Sequence, residues 1–333
     1  MNILMIGGTG VISTEVSKRI LAKGWHLTLL NRGTQTRGVC PDGAEVILCD
    51  IRNAESAAQA LAGRSFDVVV DWISYTPTQL QQTLSLLRGA YGQYIFISSS
   101  AVYSRGLTRA TEDGPKQNLA WDYARDKLGC EELLKIEDLL WKCNWTVVRP
   151  AVTYGDTRIP CAIIPNKQWT LADRMLKGLP IVLHDDGSAR THITHSSDFA
   201  KGIVGLMGNP QASREAFHIV SDEVLSWKEM AEMEAEALGV TPKFCYIPSV
   251  ELCREMPQTQ QGVTYGVLLC NKACTTTYDN SKIRRAAPEF VCTIPFREGV
   301  ARTMAFYKTH PAYQLIDDEW NVQIDALCAK YGK

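Results

Sequence analysis

The first half of the chain alternates between two hydrophobic periods. Short apolar or β-branched runs at Ile3–Ile6, His26–Leu30, Glu45–Leu48, Asp67–Val70, Tyr94–Ile97 and Trp145–Val148 predict strands. Between them, Val11–Ala22, Ala54–Leu61, Thr78–Leu87 and Ala124–Leu134 repeat their apolar residues at helical spacing. Such alternation predicts an α/β fold built on a parallel sheet covered on both faces. Right-handed crossovers make that sheet doubly wound, with ligands received at the carboxyl ends of its strands.

After Pro150 the texture changes. Residues 155–190 are rich in Pro, Trp and Gly around one helical stretch, Leu171–Leu176. Helix and strand return at Ser197–Met207 and Ala216–Val220, followed by helical stretches at Trp227–Leu238, Val250–Met256 and Phe296–Tyr307 and a C-terminal helix. At about 150 residues per domain, 333 residues allow about two. The expected division gives residues 1–155 and 191–222 to the sheet domain. Residues 156–190 and 223–333 form a smaller mixed α/β domain, assembled from C-terminal excursions of the chain.

Composition excludes several classes. An apolar content of 45% rules out a disordered chain. With 35 basic and 36 acidic side chains the net charge is −1, which offers nucleic acid or anionic lipid no electrostatic footprint. No apolar run approaches the roughly 20 residues of a membrane helix, and no signal peptide is recognisable. The eleven cysteines are scattered without a C-x-x-C pair, so they read as buried free thiols in a reducing compartment. A cytoplasmic protein is expected, and the sequon Asn144-Trp145-Thr146 is a chance match.

The first strand runs into Gly7-Gly8-Thr9-Gly10-Val11-Ile12-Ser13 and then a helix. Glycines at such a turn let the backbone approach a pyrophosphate, and the helix start adds free N–H groups and partial positive charge. Gly7, Thr9, Gly10, Val11, Ile12 and Ser13 are therefore candidate dinucleotide contacts. At the end of the second strand, Asn31-Arg32 stands where NAD enzymes usually place a carboxylate for the ribose hydroxyls. A guanidinium there suits a 2′-phosphate, so NADP is preferred slightly over NAD. Asp50 and Ile51, after the third strand, are candidate adenine contacts, although Asp50 could equally cap the next helix.

Tyr123 and Lys127 lie four residues apart on one helix face. Free tyrosine is a poor base at neutral pH, and a nearby ammonium favours its phenolate. Ser98-Ser99-Ser100 closes the fifth strand at the ligand edge, where a serine can polarise a carbonyl or hydroxyl while tyrosine moves the proton.

The order of glycine turn, strand-end serines and Tyr-x-x-x-Lys resembles the extended short-chain dehydrogenase/reductases, the NAD-dependent epimerase/dehydratase family. Arg149-Pro150-Ala151-Val152-Thr153-Tyr154-Gly155, Asp198-Phe199-Ala200 and Asp279-Asn280-Ser281-Lys282 resemble later motifs of that family, so the resemblance covers nearly the whole chain. It implies a Rossmann domain with a substrate-binding domain, NAD or NADP as cofactor, and Ser99, Tyr123 and Lys127 as catalytic residues. Lys127 would also bind the nicotinamide ribose. The implied activity is oxidation or epimerisation at a secondary alcohol of a sugar or nucleotide-sugar-like small molecule. A homodimer is the family's habit.

Departures qualify the substrate. Ser13 replaces a glycine and could bond a phosphate or shift the helix. Asp71 stands where the family commonly has His and could reach substrate or ribose, or close a loop. Ser100 occupies the place of a dehydratase acid, which argues against 4,6-dehydration. Arg190 falls one residue before the family's diphosphate arginine, so it is a candidate substrate contact in an altered register. Reduction of a small non-nucleotide ketone by NADPH is an alternative. Another is a non-catalytic nucleotide sensor or RNA-binding relative of the chloroplast stem-loop proteins. His192 and His195 alternate along a strand without a third ligand, so no metal is expected. Trp121, Trp169 and Trp227 could stack on a sugar or pack a core.

Overall fold

A computed structural model describes residues 1–33, 40–163, 167–256 and 265–332. In chain order its strands are β1 (Asn2–Ile6), β2 (His26–Asn31), β3 (Glu45–Leu48), β4 (Phe66–Asp71), β5 (Tyr91–Ile97), β6 (Trp145–Pro150), β7 (Val152–Tyr154), β8 (Pro180–His184), β9 (Arg190–His195), β10 (Glu215–Ile219), β11 (Val224–Ser226) and β12 (Lys243–Ile247). Seven of them form one sheet in the order β10-β6-β5-β4-β1-β2-β3, parallel throughout. The order turns back between β1 and β4, which opens a crevice at their carboxyl ends.

The two faces follow from the strand period of two. Ile3 and Met5 of β1 join one core, with Val16 and Ile20 of α1 (Ser13–Ala22). Leu4 and Ile6 join the other, with Ala57 of α2 (Ala54–Leu61), Leu80 of α3 (Pro77–Leu87) and Leu134 of α4 (Asp122–Trp141). Local chemistry sets the helix starts. Asn53 caps α2 by accepting from Ser56 N–H, and Thr76 caps α3 ahead of Pro77.

Two helices differ from the periodicity. The first begins at Ser13 and not Val11, because the Ser13 hydroxyl folds back to accept from Gly10 N–H at 2.8 Å. The fourth continues to Trp141, well past Leu134. Its last turn presents Leu139, Leu140 and Trp141 at 77%, 64% and 55% exposure, so the apolar face ends before the helix does.

The second lobe contains α5 (Trp169–Leu176), α7 (Trp227–Leu238), α8 (Ser249–Glu255) and helices Phe296–Thr309 and Asp318–Tyr331. Trp169, Trp227, Met230, Phe296 and Val300 form its main core. Between α5 and α7, α6 (Ser196–Leu206) and β10 return to the large sheet, where Phe199 and Ile203 pack with Val16 and Ile20. All of β7, and β9 beyond Arg190, fall within the stretches expected for the cofactor domain. They nevertheless pair with each other, and β9 with β11, in a separate three-stranded sheet, because the chain leaves the large sheet at Pro150. A two-stranded sheet, β12-β8, completes the lobe.

A charged network lies under the end of β5. Arg149 donates to both Glu131 oxygens at 2.9 and 2.6 Å and also to Glu112 O, and Ser98 Oγ donates to Glu131 at 2.6 Å. Among the described residues, no helix is long and apolar enough to cross a membrane.

Candidate active site

The crevice is a cleft of about 890 Å³. Its walls bring together Gly7, Thr9, Gly10, Val11, Ile12, Ser13, Asn31, Arg32, Asp50, Tyr123 and Lys127. At Gly7 the backbone has φ +84°, and a Cβ would lie 2.4 Å from Ile73 Cγ2, so the turn admits only glycine. No side chain caps the start of α1, and Val11, Ile12 and Ser13 at that start line the cleft, where an anion would meet the helix N-terminus. Ser13 Oγ is held by Gly10 N–H, which closes the turn. Asn31 Oδ1 accepts from Gly8 N–H at 3.1 Å, so this side chain braces the glycine turn and leaves the exposed Arg32 at the rim. Asp50 accepts from Arg52 N–H within its own loop, while Ile51 is core, 1% exposed and not part of the wall. The glycine cradle, open helix start and cleft volume fit a dinucleotide.

Tyr123 sits in the first turn of α4, and Lys127 one turn further. Ser99 caps the short helical turn Ser100–Val102 by accepting from Ala101 N–H, and its side chain lies near enough to Tyr123 to act on the phenol. Burial pushes the Tyr123 phenol up to about 12, against the lowering influence of Ser99, so it is neutral at physiological pH. The Lys127 ammonium donates to Ser74 O at 2.8 Å and Ile97 O at 2.7 Å. Burial lowers it to about 8. Those two carbonyls, and not the phenol, are its hydrogen-bond acceptors.

Other expected contacts fall outside the cleft wall. Asp71 is fully buried and accepts from Ile73 N–H, Ser74 N–H and Tyr94 OH, so it closes the loop after β4 and has no open face for substrate. Ser100 is buried, and its carbonyl accepts from Arg105 and Tyr278. Arg190 lies in the second lobe, bound to Val224 O and Glu229. There it lines a separate hollow with Asp185, Lys228 and Tyr246. His192 bonds Ser221 O and Tyr278 N–H, and His195 faces Asp156.

The structure adds cleft residues that no local pattern marked: Arg52, Trp72, Ile73, Tyr75 and Arg158. The loop after β4 was the available signal, because it leaves a strand's carboxyl end at the crevice. Tyr75 packs on Tyr123 with ring centroids 6.4 Å apart. Trp121 packs on Tyr123 at 5.0 Å, and the second lobe lays Gly266 against its indole. A Cβ at Gly266 would come within 1.9 Å of Trp121 Cδ1. Segment 265–272 thus closes over the tyrosine side of the cleft. Asn118 ties it down by donating to both Ala101 O and Cys270 O.

A parallel Rossmann sheet, a glycine turn at its crevice and a Ser–Tyr–Lys cluster beside that turn define a dinucleotide-binding enzyme fold. The chain belongs to the NAD dependent epimerase/dehydratase family, whose model matches residues 3–220. A chloroplast stem-loop binding protein of 41 kDa (b) from Arabidopsis thaliana is 29% identical over 253 residues, covering 71% of this chain and 63% of that protein. The chain thus spans less than two thirds of that relative's length. The 2'-dehydrokanamycin reductase of Streptomyces kanamyceticus is 24% identical over 240 residues, covering 72% of this chain and 67% of the reductase. In fold, the chain is similar to the UDP-glucuronic acid 4-epimerase of Bacillus cereus solved with NAD. The TM-score is 0.72 at 19% identity, covering 93% and 99% of the two chains.

Proposed function

We propose that this protein is an NAD(P)-dependent oxidoreductase or epimerase acting on a secondary alcohol, or its ketone, in a sugar-like small molecule. The observation that carries the reading is the placement of Tyr123 and Lys127, one helical turn apart, in the wall of a dinucleotide-sized cleft, with Ser99 acting on the Tyr123 phenol. When bound, the nicotinamide accepts or returns the hydride. Tyr123 exchanges the hydroxyl proton, Ser99 orients the substrate oxygen, and Lys127 holds the nicotinamide ribose. With Gly10 N–H given to Ser13 Oγ, the amides of Thr9 and of Val11–Ser13 receive the pyrophosphate. With Asn31 turned to the glycine loop, the exposed Arg32 guanidinium stays at the end of β2, which favours NADP.

A NADPH-dependent reduction of a small ketone is the second reading. It is favoured by the neutral Tyr123 phenol, already a proton donor, and by the distance of Arg190 from the cleft. The name of the Streptomyces relative agrees with it. RNA binding, suggested by the Arabidopsis relative's name, finds little charge to draw on in a chain of net charge −1.

Mass spectrometry of the nucleotide that co-purifies, followed by Tyr123→Phe, tests the proposal. Tightly retained NAD supports a self-contained epimerase cycle, and exchangeable NADPH supports a reductase. Tyr123→Phe should lower turnover by about 10²-fold or more while leaving cofactor affinity within about twofold. Absence of binding to either cofactor would overturn the function.

A further inference from the structure

Asp71 and Lys127 are buried charges of opposite sign, and neither forms an ion pair among the described residues. The Asp71 carboxylate is oriented by three donors: Ile73 N–H at 3.0 Å, Ser74 N–H at 2.9 Å and Tyr94 OH at 2.6 Å. The Lys127 ammonium, on a side chain whose residue is only 2% exposed, has two carbonyl acceptors, Ser74 O and Ile97 O. Ser74 therefore joins the two. Its N–H is given to the carboxylate and its C=O is taken by the ammonium.

A buried ammonium loses its hydration, and two carbonyl dipoles replace only part of it. Other groups around Lys127 do not supply a free counter-charge. The Tyr75 and Phe96 rings lie 4.8 and 4.7 Å from its nitrogen. On α4, Tyr123 is a neutral phenol, Cys130 is held as a thiol by burial, and Glu131 is committed to Arg149. Tyr94 is a buried phenol bound to Asp71, and Arg52, a cation, donates to Ile73 O of the same loop. Against the lowering effect of burial, Asp71 is the largest influence that keeps Lys127 charged, ahead of Cys130 and Glu131.

We propose that Asp71 is a positioning residue of this site: it is the fixed counter-charge of Lys127 and holds the ammonium in place through the Ser74 peptide. The inference rests on the function proposed for Tyr123 and Lys127 and names the group on which Lys127 depends. It also accounts for a carboxylate at the end of β4 that substrate cannot reach.

Asp71→Asn keeps the shape and the acceptor for the two amides but removes the charge. NADPH and NADH affinity, read by cofactor fluorescence between about pH 6 and about pH 10, should fall on the alkaline side as Lys127 loses its proton. In Asp71→Asn that midpoint should move down by about one pH unit. The alkaline limb of kcat/KM should move with it. Tyr94→Phe retains the carboxylate and both amide bonds, so its midpoint should stay where the wild type has it. Equal midpoints in wild type and Asp71→Asn would overturn the proposal and leave Asp71 a loop brace.

Stability gives a readout independent of cofactor. Asp71→Asn/Lys127→Met leaves neither charge of this pair buried, so it should melt higher than Asp71→Asn and fold even where the single variant does not. A double variant no more stable than the single one would refute the coupling. If the wild type binds neither cofactor, the proposed function fails, while this stability comparison still decides the Asp71–Lys127 pair.

Discussion

Replacing Glu131 with glutamine removes one charge from a pair buried on both sides, with Glu131 and Arg149 side chains 3% and 4% exposed. Glutamine preserves the volume and one acceptor oxygen. The guanidinium then keeps Tyr103 OH and Glu112 O but loses half of its carboxylate acceptors. Breaking a buried pair from one side costs about 3–5 kcal/mol, whereas an exposed pair such as Lys135–Glu132 contributes under about 1 kcal/mol. At an unfolding entropy of about 2.1 cal/mol/K per residue, the loss lowers Tm by about 4–7 °C. Urea unfolding followed by tryptophan fluorescence, with calorimetry for Tm, measures it. Because Ser98 Oγ donates to Glu131, the strand end that carries Ser99 should also loosen, lowering kcat more than cofactor affinity. Glu131→Leu/Arg149→Met should recover most of the stability, since neither charge remains buried. A cost below about 1 kcal/mol for Glu131→Gln, or a double variant weaker than the single, would refute the reasoning.

Three further outcomes are expected. Arg32→Ala should weaken NADPH by about 5–30-fold and NADH far less, as titration calorimetry would read; equal losses would remove Arg32 from 2′-phosphate recognition. Gly266→Ala pushes segment 265–272 away from Trp121, so substrate KM should rise with NAD(P)H affinity unchanged, in steady-state kinetics beside cofactor titration. Lys127 gives a pH signature in stability. Its folded value, about 8, lies below the ordinary lysine value of 10.5, so the unfolded chain binds more protons between them. The penalty for burying the charge is complete below pH 8 and fades as pH rises toward 10.5. The urea midpoint of wild type relative to Lys127→Met should therefore climb across that window; a flat difference would contradict it.

The large sheet was legible because buried parallel strands are continuous apolar runs, as in Ile3–Ile6 and Val68–Val70, which lose all exposure. Tyr123, Lys127, Ser99 and the glycine turn carried spacing that survives without coordinates. Strands β7 and β11, three residues each, leave no period to detect. Tyr75, Arg52 and Arg158 reach the cleft through loop geometry that no neighbouring residue announces. Asp71 shows the limit from the other side. Its place at the end of β4 was visible, but whether it faced substrate or its own loop depended on Tyr94, a contact 23 residues away.

The late return of β10 and α6 bears on how the protein is made. A nascent chain that has emerged as far as residue 155 carries six of the seven strands, yet Val16 and Ile20 still lack Phe199 and Ile203, and β6 still has an open edge. Until Ile219 leaves the ribosome, the parallel sheet exposes an unpaired strand and an apolar helix face, the features that invite aggregation. Synthesis therefore passes through a sticky interval that lasts while roughly 65 residues are added, about 3–13 seconds at ordinary elongation rates. Fragments ending inside that interval should be chaperone clients, and the completed chain should not.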